Sequence, residues 1–239
     1  MFIKAIIIKI AITTKMLRML VYYYFKYYNL LLRADVLPTE LFKQKNILIV
    51  TAHPDDELFC IAHVLDKIAP VVKETAWVNT TLGQNSIVGD KSYSCLDAGK
   101  IRNDEFVSAM RRLSISTYLH LELPSYLNRP FSHIHTDELK ALVEKSDFVF
   151  LINRDDLHPD HYFTTLTFEG IVPSKKIFYY NVQKIQTSRK YKHYRVDFNQ
   201  SLFDDLVTNY QSQSHMDLSF SCYNKVFYKQ VFISHENFN

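Results

Sequence analysis

The chain has 239 residues, 47 % of them hydrophobic, with 17 Phe and 16 Tyr, which suffices for one sizeable domain with a full core. Only four glycines are present, which excludes a Gly-rich phosphate loop of the P-loop or Rossmann type, and a formal charge of +3 makes no case for a nucleic-acid partner. The cysteines, Cys60, Cys95 and Cys222, are odd in number with no CxxC pair, so they fit reduced thiols in a cytosol-facing protein rather than a disulfide framework or a zinc knuckle.

In chain order, the amino terminus is basic and apolar. It carries Lys4, Lys9, Lys15, Arg18 and Lys26, with no acid before Asp35. It never runs the roughly 20 apolar residues of a clean bilayer span, and it lacks the small-residue cleavage site of a secretory signal. On a helical wheel Lys4, Lys15, Arg18, Lys26, Asn29 and Arg33 share an arc of roughly 80°, with Lys9 the exception. A basic stripe opposite Ile, Leu and Tyr is the pattern of a helix in the membrane interface, where Tyr22, Tyr23, Tyr24, Tyr27 and Tyr28 suit the headgroup depth. A tilted spanning helix with snorkelling lysines, or an amphipathic helix packed on its own domain, are the alternatives. Residues 1–34 are therefore expected to form a membrane-associated helix, Pro38-Thr39-Glu40 a linker, and residues 45–239 the globular domain.

Alternating elements follow. Strands are expected at 46–52, 71–79, 117–123, 147–152 and 176–182, and helices at 56–68, 97–113 and 136–145, with another opening near His161. The alternation predicts an α/β three-layer sandwich with a mainly parallel, Rossmann-like sheet. The tail, 195–239, reads as a helix at 199–212 and one or two edge elements.

Two acid–histidine clusters follow two of these strands. His53-Pro54-Asp55-Asp56-Glu57 comes after the apolar run Ile47-Leu48-Ile49-Val50, and Asp156-Leu157-His158-Pro159-Asp160-His161 after Phe148-Val149-Phe150-Leu151-Ile152. Loops at the carboxyl ends of parallel strands meet in one crevice. His53, Asp56 and His161 would give two nitrogens and a carboxylate, leaving one position open, as in catalytic zinc sites. Asp55 is suited to act as general base, and His158 to stabilise an oxyanion and protonate a leaving amine. Asp160 or Glu57 would orient an imidazole from behind. Taken singly, a histidine at a strand end is a packing residue and an Asp-Asp pair before a helix is an N-cap. The remaining histidines, His63, His120, His133, His135, His193, His215 and His235, read as surface or packing residues.

These clusters resemble the LmbE-like zinc deacetylases, a family that includes the N-acetylglucosaminyl-phosphatidylinositol de-N-acetylases and bacterial N-acetyl-sugar deacetylases. Gly99-Lys100-Ile101-Arg102-Asn103-Asp104-Glu105-Phe106 is similar to the family's Gly-x-x-Arg-x-x-Glu-Leu segment, and Tyr210-Gln211-Ser212-Gln213 is weakly similar to its Tyr-x-Ser-Gln element. The resemblance spans about 45–185. Leu157 replaces the usual Gly, Asp160 follows the bacterial rather than the eukaryotic habit, and Gly83-Gln84-Asn85 replaces a Gly-Asn pair.

The resemblance implies zinc or another divalent cation on His53, Asp56 and His161, Asp55 as base, His158 at the oxyanion, and Arg102 holding the substrate's polar or phosphate-bearing part. A helix-surface ion pair with Glu105 is the alternative for Arg102. The expected reaction is deacetylation of N-acetylglucosaminyl-phosphatidylinositol in GPI-anchor synthesis. It would take place at the endoplasmic reticulum membrane with the catalytic domain facing the cytosol. A soluble N-acetyl sugar as substrate, a catalytically silent membrane-bound scaffold and a two-metal phosphoesterase are the rivals.

Overall fold

The computed structural model describes residues 25, 27–84, 94–125, 137–156, 158–182, 188–216 and 230–236. Its centre is an eight-stranded sheet in the order β1-β7-β8-β6-β5-β2-β3-β4. Five strands are those expected: β2 (Asn46–Thr51), β3 (Glu74–Thr81), β4 (Thr117–Leu123), β5 (Phe148–Ile152) and β6 (Ile177–Tyr180). They pair in parallel throughout, β5 and β3 flanking β2.

Alternation along β2 sorts the core into two layers. Ile47 and Ile49 face one side with Trp77, Phe150, Phe178 and Tyr180, covered by α2 (Ile61–Ile68), α3 (Cys95–Arg112) and α6 (Gln200–Val207). Leu48 and Val50 face the other with Val78, Val149 and Leu151, covered by α4 (Asp137–Lys145) and α5 (Pro159–Glu169). This is the expected three-layer arrangement. The chain runs β2-β3-β4 outward on one side and then crosses back to β5 and β6 on the other. The order reverses between β2 and β5, so a crevice opens past their carboxyl ends.

Four features differ from the expectation. Residues 35–44 are part of the fold rather than a linker. β1 (Asp35–Val36) pairs with β7 at the sheet edge, and Phe42 is fully buried, its ring 5.5–5.8 Å from those of Phe148, Phe150 and Phe178. β7 (Tyr191–Asp197) lies where no strand was expected, because Lys192, Arg195 and Asp197 break its apolar pattern. β8 (Gln230–Glu236) is no edge element: it runs antiparallel between β6 and β7, with Val231, Phe232, Ile233 and Ser234 all buried. The expected helix at 199–212 is α6 followed by a separate 3-10 turn, Gln211–Met216.

The expected membrane-associated helix lies outside the described residues, apart from 25 and 27–34. There α1 (27–33) sets Leu30 against Phe232, and the Tyr27 ring meets Phe232 edge-on at 5.5 Å. Phe25, Tyr28 and Leu32 are exposed at helical spacing. Among the described residues no helix is long and apolar enough to cross a membrane.

If residues 35–44 belong to the fold, Phe42→Ala removes a ring packed among three others and destabilises by about 3–5 kcal/mol. Urea unfolding followed by the fluorescence of the single tryptophan, buried Trp77, measures it. A midpoint unchanged from wild type would return this stretch to the status of a tether.

Candidate active site

β2 ends at Thr51, and the chain turns sharply through Ala52-His53-Pro54-Asp55. Asp55 sits at φ 101°, ψ −16°, a left-handed conformation that L-residues with a side chain seldom adopt. Such strain is of order 1–3 kcal/mol and persists only where surrounding groups hold it. The turn sends the two adjacent carboxylates apart. Asp56 Oδ2 folds back to accept the amides of Ala52 and His53 at 2.9 and 2.8 Å, leaving Oδ1 outward. The helix expected over 56–68 instead begins as the 3-10 turn Asp56–Phe59 and restarts as α2 after Cys60, whose φ of −147° is not helical.

The second loop leaves β5 and enters α5. His158 is the N-cap, its Nδ1 accepting the Asp160 amide at 3.2 Å, and Pro159 opens the helix. One turn on, His161 faces the same crevice. Its Nδ1 bonds to Asp156 Oδ1 at 2.8 Å, and His53 Nε2 bonds to Asp160 Oδ2, also at 2.8 Å.

These contacts fix which nitrogen of each ring carries the proton. A carboxylate only accepts, so His161 donates from Nδ1 and His53 from Nε2. Their other nitrogens, bare lone pairs, then face one another at 3.2 Å, with Asp56 Oδ1 3.1 Å from His161 Nε2. With both rings neutral nothing among these three atoms donates, so either a proton on His161 Nε2 or a bound cation must stand between them. Ligand bonds of about 2.0–2.1 Å at tetrahedral angles put ligand atoms roughly 3.3 Å apart, close to the two separations from His161 Nε2. Two nitrogens and one oxygen suit zinc. His53, His158 and His161 also have ligating atoms within 4.8 Å of one another. His158 differs from the other two, however. Its Nδ1 accepts a backbone N–H, so in the neutral ring the proton sits on Nε2 and that atom is a donor.

Titration follows this division. Burial, aided by the neighbouring His53 and His161, pushes His158 down to about 4, so it is neutral near pH 7. Burial also opposes the charged form of His161, but Asp56 and Asp156 outweigh it and raise the ring to about 10 when a proton stands in the cation's place. Burial works against ionisation of Asp56 too, yet His161 and His53 hold its carboxyl well below the usual range.

Asp55 faces Arg102 of α3, 3.2 Å from the guanidinium, which also donates to the Pro54 carbonyl. Burial raises the Asp55 pKa against the pull of Arg102, making the carboxylate a stronger base than a free one. Arg102 is 2 % exposed and grips this turn, so a helix-surface ion pair with Glu105 does not describe its surroundings. Gly83, at φ +61°, lies under it, and a Cβ there would come within 2.6 Å of Arg102 Nε. Of the two candidates for orienting an imidazole, Asp160 does so for His53; the partner of His161 is Asp156, to which no role was assigned. Its place at the head of the second cluster was the available signal. Glu57 instead accepts from the Tyr210 hydroxyl and the Asp55 amide, and burial pushes it up to about 8. Leu157, the departure from the family's Gly, lies outside the described residues.

Comparison with known proteins agrees with this geometry. The model of the PIG-L family, described as GlcNAc-PI de-N-acetylase, matches residues 48–171, which includes both loops and Arg102. Among solved structures, N,N'-diacetylchitobiose deacetylase from Pyrococcus horikoshii is similar with a TM-score of 0.64 at 19 % identity, covering 80 % of this chain and 84 % of that one. A deacetylase of teicoplanin biosynthesis, in complex with teicoplanin, has a TM-score of 0.54 at 12 % identity, over 81 % and 100 %. The 4-carboxy-2-hydroxymuconate hydratase GalB from Pseudomonas putida KT2440 has 0.55 at 13 %, over 82 % and 100 %. Because a hydratase shares the fold, these likenesses establish architecture alone. No curated protein matches the chain.

The imidazole-orienting carboxylates give a direct test. Asp156→Asn should weaken zinc binding about 10–100-fold while the fold persists, as outer hydrogen-bond partners of metal ligands typically do. Chelator competition with purified protein reads this out, and unchanged affinity would show that Asp156 does not set the His161 tautomer.

Proposed function

The chain belongs to the PIG-L family of GlcNAc-PI de-N-acetylases, and from that premise we propose that it is a metal-dependent N-deacetylase acting on N-acetylglucosaminyl-phosphatidylinositol. The observation that carries the chemistry is the trio of His53 Nδ1, His161 Nε2 and Asp56 Oδ1, gathered at one point where a proton on His161 or a bound cation must lie between them. A zinc ion held there would acidify a water and polarise the acetyl carbonyl.

The residues around it divide the remaining work. Asp55, with its raised pKa, removes the water proton as that oxygen attacks the amide carbon. His158 is neutral and donates Nε2–H to the oxyanion of the tetrahedral intermediate, where a preorganised donor counts most. The C–N bond then breaks, and the amine leaves with a proton delivered from this pair. Acetate and the free amino sugar are the products. Arg102 keeps Asp55 in place by gripping both its carboxylate and the preceding carbonyl.

The lipid-linked substrate is supported by the basic, apolar amino terminus and by the exposed Phe25, Tyr28 and Leu32 where that segment joins the fold. On this reading residues 1–34 form the membrane-associated part, at the endoplasmic reticulum, with the catalytic domain on the cytosolic side. A soluble N-acetyl sugar is the second reading, and N,N'-diacetylchitobiose, the substrate named for a protein of the same fold, is the compound to test it with.

Acetate release from N-acetylglucosaminyl-phosphatidylinositol should fall about 10²–10⁴-fold in Asp55→Asn, with zinc content unchanged. Equal rates in the two proteins would end the base assignment, and a zinc stoichiometry near zero in the wild type would revive a silent scaffold. Removing residues 1–24 should depress the rate on substrate in vesicles while sparing the rate on N,N'-diacetylchitobiose. Equal retention on both would favour the soluble substrate.

A further inference from the structure

The mechanism leaves unused a set of buried groups joining the Asp55 turn to a segment more than 150 residues away in the chain. The Tyr210 hydroxyl donates to Glu57 Oε1, and Glu57 Oε2 accepts the Asp55 amide at 3.2 Å. Two residues beyond Tyr210, Ser212 donates its own amide and its hydroxyl to the Glu105 carboxylate, at 2.8 and 2.6 Å. Glu105 lies one helical turn from Arg102 on α3, and Arg102 grips the Asp55 carboxylate and the Pro54 carbonyl. One three-residue stretch therefore reaches the base from two directions: through its amide by way of Glu57, and through its carboxylate by way of the helix that carries Arg102.

The burial of this set argues for a purpose beyond filling space. Glu57 is fully buried, and Tyr210, Arg102, Ser212 and Glu105 are nearly so. Carboxylates in such surroundings are tolerated only when hydrogen-bonded, and apolar side chains would pack there without that demand. What the polar set adds is a grip on a residue in a left-handed conformation that would otherwise relax.

We propose that Tyr210 and Ser212 are positioning residues for the base: docked on Glu57 and Glu105, they hold the strained Asp55 turn in the one arrangement that presents its carboxylate for proton transfer. The inference rests on the reading of Asp55 as base. It makes the carboxyl-terminal part of the domain a component of the active site, although none of its side chains need touch the substrate.

The test is a double-mutant cycle with an independent structural readout, on full-length protein. Acetate release from N-acetylglucosaminyl-phosphatidylinositol is measured for wild type, Tyr210→Phe, Asp55→Asn and the double variant, with zinc content for each. Hydrogen exchange is followed in the peptide containing the Asp55 amide. Tyr210→Phe should lower kcat roughly ten- to a hundredfold, with KM and zinc content unchanged, since a slight misplacement of a catalytic group has effects of that size. In the Asp55→Asn background it should lower kcat no further, because the hydroxyl acts through the base. The Asp55 amide should exchange faster in Tyr210→Phe.

An unchanged kcat, an equal fold-loss in both backgrounds, or unaltered exchange would overturn the proposal. Should Tyr210→Phe not fold, Ser212→Ala enters the same cycle and is judged by the kcat criteria. Wild-type protein that releases no acetate would mean that the deacetylase reading has failed. The exchange difference alone then decides whether the clamp exists.

Discussion

One ring nitrogen each of His53 and His161 is already committed to a carboxylate. Asp160 takes the proton of His53 and Asp156 that of His161, while the Ala52 and His53 amides occupy one oxygen of Asp56. What remains is a gap among His53 Nδ1, His161 Nε2 and Asp56 Oδ1, with His161 and Asp56 buried and His53 partly open to the crevice. The rest of the structure serves this constraint. Two loops must be delivered to one point, their side chains fixed in position, and the Asp55 carboxylate, the proposed base, held beside them.

The sheet accomplishes the delivery. β2 and β5 are adjacent and parallel, paired Ile47 with Phe148 through Ile49 with Phe150, so their carboxyl ends emerge side by side. The first loop is short and strained, and the second opens a helix whose N-cap is His158, the proposed oxyanion donor. Dual use is recurrent here. His158 caps α5 and presents a donor, and Asp160 sits in the first turn of that helix while orienting a ring from the other loop. Hydrogen bonds that an ordinary fold would spend on stability are spent on protonation state.

Much of this was legible in the amino acids because its signals are local. Apolar runs ending in His-Pro-Asp-Asp and in His-Pro-Asp-His mark strands that stop at a crevice, and the parallel alternation made their neighbourhood foreseeable. Long-range pairing was not legible. Nothing near Glu57 announces Tyr210, and nothing near Arg102 announces Gly83 or Asp55. β7 was missed and β8 taken for an edge element for a related reason. β7 carries charges that are tolerated beside the two-residue edge strand β1, Lys192 pairing with Asp35 at 3.3 Å. β8 is apolar for only a few residues, buried by strands to both sides rather than by a helix pattern of its own.

The position of β8 also sets the order in which the molecule can be completed. It is the last strand among the described residues, yet it separates β6 from β7 and is hydrogen-bonded to both. During synthesis the five parallel strands can assemble as they emerge, but their outer edge at β6 stays open until residues 230–236 leave the ribosome. An exposed parallel edge is a template for unwanted pairing. The nascent protein therefore passes through a stage in which its sheet is largely built and still adhesive, and translation halted short of β8 leaves it there.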